Sequence, residues 1–171
     1  VFGSSIYNPA AFEPNRLEKF LNSTHFNTRE QILRKFLLFN EGDTISPLSL
    51  TDNERIIRQL PFIDDARIIV IPVSESEADI LVVTKDVYSL GGDFSYRGIN
   101  KGSVWLYDKN IFGMGHEFEI EIPYSSTTKD SPGLGLNYNI NNIRKSFINL
   151  NLNYYNGLGK KSFGFYLNRP L

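Results

Sequence analysis

The chain has 171 residues, 41% of them hydrophobic, enough for one ordinary domain or for a small domain and part of another. Its net charge of −1 gives no broad electrostatic case for nucleic acid, and the absence of cysteine excludes a disulfide framework or a thiolate metal site. No run approaches the roughly 18 consecutive apolar residues of a membrane helix.

Charge and vocabulary change part-way along. Residues 1–87 carry nine Lys/Arg and thirteen Asp/Glu, and residues 88–171 carry nine and six. The first part has charged, helix-forming runs, whereas the second is rich in Asn, Gly, Tyr and Phe. The boundary is expected near Asp86–Tyr88, giving units over 1–86 and 87–171. No signal peptide is visible at Val1, as expected of an exported chain that has lost it or of a piece of a longer one.

The first part reads as α+β. A strand is expected over Val1–Tyr7, ended by Asn8-Pro9, and a short helix over Asn15–Asn22 around Leu17, Phe20 and Leu21. Thr28-Arg29-Glu30-Gln31 has capping-box spacing and opens a helix with Ile32, Leu33, Phe36 and Leu37 on one face. Thr51-Asp52-Asn53-Glu54 repeats that spacing ahead of Ile56, Ile57 and Leu60, with Pro61 as the stop. Asp64-Asp65 reads as a helix-to-strand turn. Arg67–Val73 and Asp79–Lys85 are β-branched runs around Ser74-Glu75-Ser76-Glu77, a hairpin. The order is strand, helix, helix, strand, strand.

The second part reads as about six strands, each about ten residues long. Tyr88, Leu90, Phe94 and Tyr96 alternate with Ser89, Gly91, Asp93, Ser95 and Arg97. Phe118, Ile120 and Ile122 alternate with Glu117, Glu119 and Glu121. Leu134, Leu136, Tyr138 and Ile140 alternate with Gly135, Asn137, Asn139 and Asn141. Ile148, Leu150, Leu152 and Tyr154 alternate with Asn149, Asn151, Asn153 and Tyr155, and Phe163, Phe165 and Leu167 continue the scheme. A period of two places the apolar residues on one sheet face and the polar ones on the other. A soluble sandwich would hide its apolar face and show Lys, Glu and Thr outside. The Asn-lined polar face and the aromatic residues at strand ends favour a membrane barrel with a wet lumen. Six strands fall short of the roughly eight at which single-chain barrels start, so the chain is expected to be part of a longer one.

Five segments carry a resemblance. Thr28–Phe39 with Glu41-Gly42-Asp43, and Asn53–Ile63 with Asp65-Ala66-Arg67-Ile68, are similar to the helices of the last POTRA repeat in BamA-type outer-membrane assembly factors, in their Bacteroidetes-like form. Asp108-Lys109-Asn110-Ile111-Phe112-Gly113-Met114-Gly115-His116 resembles that family's turn between the second and third barrel strands. Asn142-Ile143 and Arg169-Pro170 fit its later periplasmic turns. The resemblance implies a periplasmic α+β POTRA domain (βααββ) followed by antiparallel transmembrane β-barrel strands, a partial barrel in the bacterial outer membrane. It implies a non-enzymatic factor that inserts barrel proteins without a cofactor. Its partners would be unfolded outer-membrane protein clients, accessory outer-membrane lipoproteins or other POTRA domains, and the lipid bilayer.

The expected client-binding barrel edge is Val87, Tyr88, Ser89, Leu90, Gly91, Gly92, Asp93, Phe94 and Ser95. Gly91 and Gly92 would weaken it as a gate, or permit curvature or a bulge. A second edge, at Arg67, Ile68, Ile69, Val70 and Ile71, would receive a client or partner strand, unless Arg67 and Pro72 discourage pairing. Asn110, Gly113 and Gly115 are the structural turn. Glu117, Glu119 and Glu121, about 7 Å apart along one face, read as a polar lumen stripe. Trp105 is expected toward the lumen or seam. His25 and His116 lack neighbours at metal-ligand spacing. Three rivals stand beside this account: a two-partner secretion transporter, the barrel part of a patatin-like lipase, and a soluble sandwich module. No Gly-x-Ser-x-Gly segment occurs in the chain.

Overall fold

The computed structural model describes residues 26–169 and the isolated positions 16, 19 and 23. The strand expected over Val1–Tyr7 and most of the helix expected over Asn15–Asn22 lie outside the described residues, as do His25 and Pro170. The chain divides into two compact units, one ending at Tyr88 and the other beginning at Ser89.

In the first unit a single helical turn, α1 (Glu30–Leu33), precedes α2 (Pro47–Arg58) and an antiparallel hairpin of β1 (Ile63–Pro72) and β2 (Ala78–Asp86). The apolar stripes read from the sequence meet in one core. Phe36, Ile57, Leu60, Phe62, Ile63 and Ala66 are buried, and Ile32, Leu33, Leu37, Ile56, Val82 and Val87 pack against them. Phe36 and Phe62 meet edge to face, their ring centres 6.3 Å apart. Ile57 and Phe62 are fully buried, contributing roughly 1.5–3 kcal/mol each.

Three local expectations are corrected. Thr28 does not cap α1; Arg29 occupies the cap position and the Thr28 N–H donates to the Asp86 carboxylate. The helix stops after one turn because Lys35 and Phe36 donate to Ile32 and Leu33, three residues back, which tightens the chain. The cap of α2 is Ser46, not Thr51: Ser46 and Ser49 exchange side-chain-to-backbone bonds of 3.1 Å each, and Pro47 at the first helical position presets φ. Asp64 and Asp65 lie inside β1, beside a register irregularity between Ile63 and Asp65, rather than in a turn.

The second unit is one antiparallel sheet in chain order: β3 (Leu90–Tyr96), β4 (Lys101–Asp108), β5 (His116–Ser125), β6 (Leu134–Ile140), β7 (Asn149–Gly157) and β8 (Lys160–Asn168). Only β5 reaches ten residues, and β3 and β6 have seven, shorter than the alternation implied. Ile148 flanks β7 instead of opening it.

The register keeps the two faces separate across all six strands. One row runs Gly92, Leu106, Ile120, Leu136, Tyr154, Phe163. The neighbouring row, on the other face, runs Gly91, Tyr107, Glu119, Asn137, Asn153, Gly164. Apolar residues thus share a face with apolar residues, as period two requires. A single cavity takes lining residues from Ser95 on β3 to Lys160 on β8, so the sheet curls around its polar face. A flat sheet would hold those strands roughly 24 Å apart at about 4.8 Å per spacing. Below, the polar face is the inner face.

The outer apolar face has no second layer among the described residues. Among the described residues the only buried apolar side chain of the second unit is Pro123, which shares the inner face with Glu119 and Glu121; all the others belong to the first unit. Phe94 is 76% exposed and Phe163 72%, and Leu106 and Ile148 are exposed as well. Leu136, Leu150 and Leu152 are half-buried.

Candidate functional site: two strand edges, paired turns and a polar inner wall

β3 is a border of the sheet, paired only with β4. Of the expected edge, Leu90, Gly91, Gly92, Asp93, Phe94 and Ser95 lie on it. Val87, Tyr88 and Ser89 do not. Val87 packs on the first unit's core and donates to the Phe62 carbonyl, Tyr88 ends that unit, and buried Ser89 accepts from the Lys109 N–H at 2.9 Å before the strand begins. Pairing through Ser89 and through Arg97 to Lys101 directs the odd-numbered groups to β4, so Leu90, Gly92, Phe94 and Tyr96 present theirs outward. The Phe94 N–H is covered by its neighbour, the Asp93 carboxylate, at 2.7 Å. The edge therefore offers the backbone donors of Leu90, Gly92 and Tyr96.

The register of β3 with β4 runs without a shift, so no bulge forms at Gly91-Gly92. Gly91 has a different reason. A Cβ there would fall on the Tyr107 ring, which lies across the inner face at that point.

Arg67, Ile68, Ile69, Val70 and Ile71 all lie on β1, whose only described strand partner is β2. Val73 pairs inward with Glu77, so the even-numbered groups face out. Three of those four positions are defended. Ala66 donates to the Asp65 carboxylate at 2.8 Å, Ile68 to Glu54 Oε2 at 2.9 Å, and Pro72 has no N–H. Glu54 is in turn held by Arg58 at 2.5 Å. The blocking expected of Arg67 is thus performed by Glu54, Asp65 and Pro72, and Val70 keeps the uncovered outward donor among the described residues.

Asn110, Gly113 and Gly115 form the turn between β4 and β5. Asn110 is 1% exposed. Its Oδ1 accepts from the Gly115 N–H at 2.7 Å, and its own N–H donates to Asp108. Phe112, Gly113 and Gly115 all have positive φ. The same turn recurs between β6 and β7. Asn142 is 2% exposed and its Oδ1 accepts from the Phe147 N–H at 2.8 Å, again five residues on. Arg144, Lys145 and Phe147 take the positive-φ positions, so Lys145 and Phe147 stand where the first turn has glycine. The recurrence of Asn followed by Ile is its one sequence signal.

Facing strands bring Asn137, Asn139, Asn151 and Asn153 together on the inner wall. Asn151 Nδ2 donates to Asn137 Oδ1 at 2.5 Å and to Asn139 Oδ1 at 2.7 Å, and Asn153 donates to Asn151 at 3.4 Å. Glu117, Glu119 and Glu121 stand on the same wall, Glu117 accepting from Asn141 at 2.9 Å. Trp105, opposite Glu121, faces inward too, while Val104 and Leu106 face out. His116 Nδ1 and the Tyr138 hydroxyl are 2.7 Å apart. Among the described residues no group of three or more His, Asp or Glu side chains is placed to share a metal ion.

No family model matches the chain, and no curated protein matches it. Among solved structures it is similar to the crystal structure of BamA from Haemophilus ducreyi lacking POTRA domains 1–3, with a TM-score of 0.63 and 18% identity, over 75% of this chain and 25% of that one. The chain has the fold of a BamA barrel region. It spans about a quarter of that BamA chain, and the six described strands do not close into a barrel. The BamA match takes in more of the chain than the second unit alone can supply, so it extends into the first.

Proposed function

We propose that this chain is part of an outer-membrane β-barrel assembly and insertion factor, the unit that ends at Tyr88 forming a periplasmic POTRA domain and the unit that begins at Ser89 the first strands of the barrel wall. The observation that carries this is a six-stranded sheet whose apolar face has no protein layer over it among the described residues and whose inner face carries amides, carboxylates and hydroxyls. A bilayer supplies the missing apolar contact. The BamA-like fold supports the same placement.

The action is non-covalent. Leu90–Ser95 on β3 is the edge at which an unfolded client strand adds by backbone hydrogen bonds, and the covered donor at Phe94 interrupts the row and keeps that pairing reversible. In hydrocarbon each unpaired backbone group costs several kcal/mol, so the edge is driven to find a strand, from the barrel's own far end or from a client. The first unit's better-defended edge at Arg67–Ile71 is a weaker meeting place for clients, accessory lipoproteins or other POTRA domains. The test is depletion of the full-length protein in its cell, with the outer-membrane levels of unrelated barrel proteins measured. They are expected to fall together within a few generations; unchanged levels refute the assembly role.

A further inference from the structure

At the end of the sheet opposite the asparagine turns, the inner wall changes sign. Arg97, Lys101 and Lys160 line one cavity of ≈ 370 Å³ with Trp105, Tyr155 and a single carboxylate, Glu121. Further along the same wall stand Glu117 and Glu119. The cations come from two hairpins that are far apart in sequence, and the loops carrying them are stitched together. The Ser126 N–H donates to the Asn100 carbonyl at 2.9 Å, joining the β3–β4 loop to the β5–β6 loop. The Leu158 N–H donates to the Asp130 carbonyl at 3.1 Å, joining the β5–β6 loop to the β7–β8 turn. Gly133 and Gly157 meet there so closely that neither has room for a side chain.

We infer that this cavity is a binding site for a phosphate monoester or diphosphate group. Three cations against one carboxylate leave an excess of two positive charges, which offsets the roughly −1.5 to −2 of a phosphate monoester and most of the larger negative charge of a diphosphate. The Arg97 guanidinium offers a planar fork of donors suited to a phosphate, and Lys101 and Lys160 supply point charges beside it. The half-buried Trp105 and Tyr155 rings form the apolar part of its lining, and the three cations remain open to solvent, where a soluble or headgroup phosphate can reach them. Because the loops are already tied to one another, ligand binding has little ordering to accomplish. The site rests on the hairpins' own geometry and stands apart from the assembly role.

Trp105 is the chain's single tryptophan, so its fluorescence reports on this cavity. The full chain in zwitterionic micelles is titrated with inorganic pyrophosphate at constant ionic strength. In a parallel arm phosphatidic acid is added to the micelles, with phosphatidylcholine as control. A saturable change is expected, weakened at least tenfold in the Arg97→Gln/Lys160→Gln variant and unaltered in Arg144→Gln at the other end. Saturation by pyrophosphate assigns a soluble ligand, and saturation by phosphatidic acid alone assigns a lipid headgroup; both support the site. No saturable change in either arm, or an equal response from the double variant with an unchanged starting spectrum, overturns it.

Discussion

Asn110 and Asn142 each satisfy a backbone donor in a turn where the chain has turned too sharply to satisfy it alone. Replacing Asn110 with Ala leaves the Gly115 N–H without its acceptor in a buried place, at a cost of roughly 1–3 kcal/mol. The urea midpoint followed by Trp105 fluorescence is expected to fall accordingly, while Asn110→Asp, which keeps the acceptor, falls less. Gly91→Ala is expected to lower the same midpoint by overpacking against Tyr107, at about 1–3 kcal/mol, and Gly91→Ala with Tyr107→Ala to recover most of the added loss. If the two losses simply add, the ring is not what excludes a side chain there. The first turn was legible in the sequence because its glycines announce positive φ. The second was legible only through Asn142, since Lys145 and Phe147 adopt φ of 63° and 56° that residues of their kind rarely take. What Gly91 is for was not legible, because Tyr107 faces it only once β3 and β4 are in register.

Among the elements, β1 shows how an exposed border is kept single. Glu54 reaches from α2 to the outward Ile68 N–H, so one helix both covers the core and closes part of the edge. Glu54→Ala is expected to increase concentration-dependent self-association in analytical ultracentrifugation, whereas Glu54→Gln, which keeps an acceptor oxygen, stays near the parent; equal behaviour of the two shows that the carboxylate does not guard the edge. The hairpin and both helical stripes were legible because periods of 2 and 3.6 are written in consecutive residues. The caps were not. Thr51-x-x-Glu54 matches the same spacing as the true start, and the choice falls to Pro47, whose fixed φ starts the helix earlier. Asn53, placed by the sequence in a first turn, is instead fully buried, accepting from the Leu38 N–H and donating to the Ser49 carbonyl, both at 2.6 Å. That role depends on a loop fifteen residues away and leaves no local pattern.

For the whole molecule, the two-faced rhythm was the most legible feature, since a sheet's sidedness follows from alternation alone. The loop stitching at the far end was not, because it joins carbonyls and N–H groups of residues with no shared pattern. The absence of cysteine permits a direct test of sidedness. In vesicles, Phe94→Cys and Leu106→Cys are expected to resist a charged, membrane-impermeant thiol reagent, and Asp93→Cys and Glu119→Cys to react at least tenfold faster. Uniform labelling of all four excludes a lipid-facing wall. The paired asparagine turns carry one more consequence. They sit one hairpin apart, at the same end of the sheet, with positive φ at the same three later positions built from different residues. A wall made this way extends by whole hairpins: adding or losing two strands returns the chain to its starting end, whereas one strand more or fewer sends all that follows out of the opposite end. Such a wall grows in even steps, and an asparagine marks the start of each.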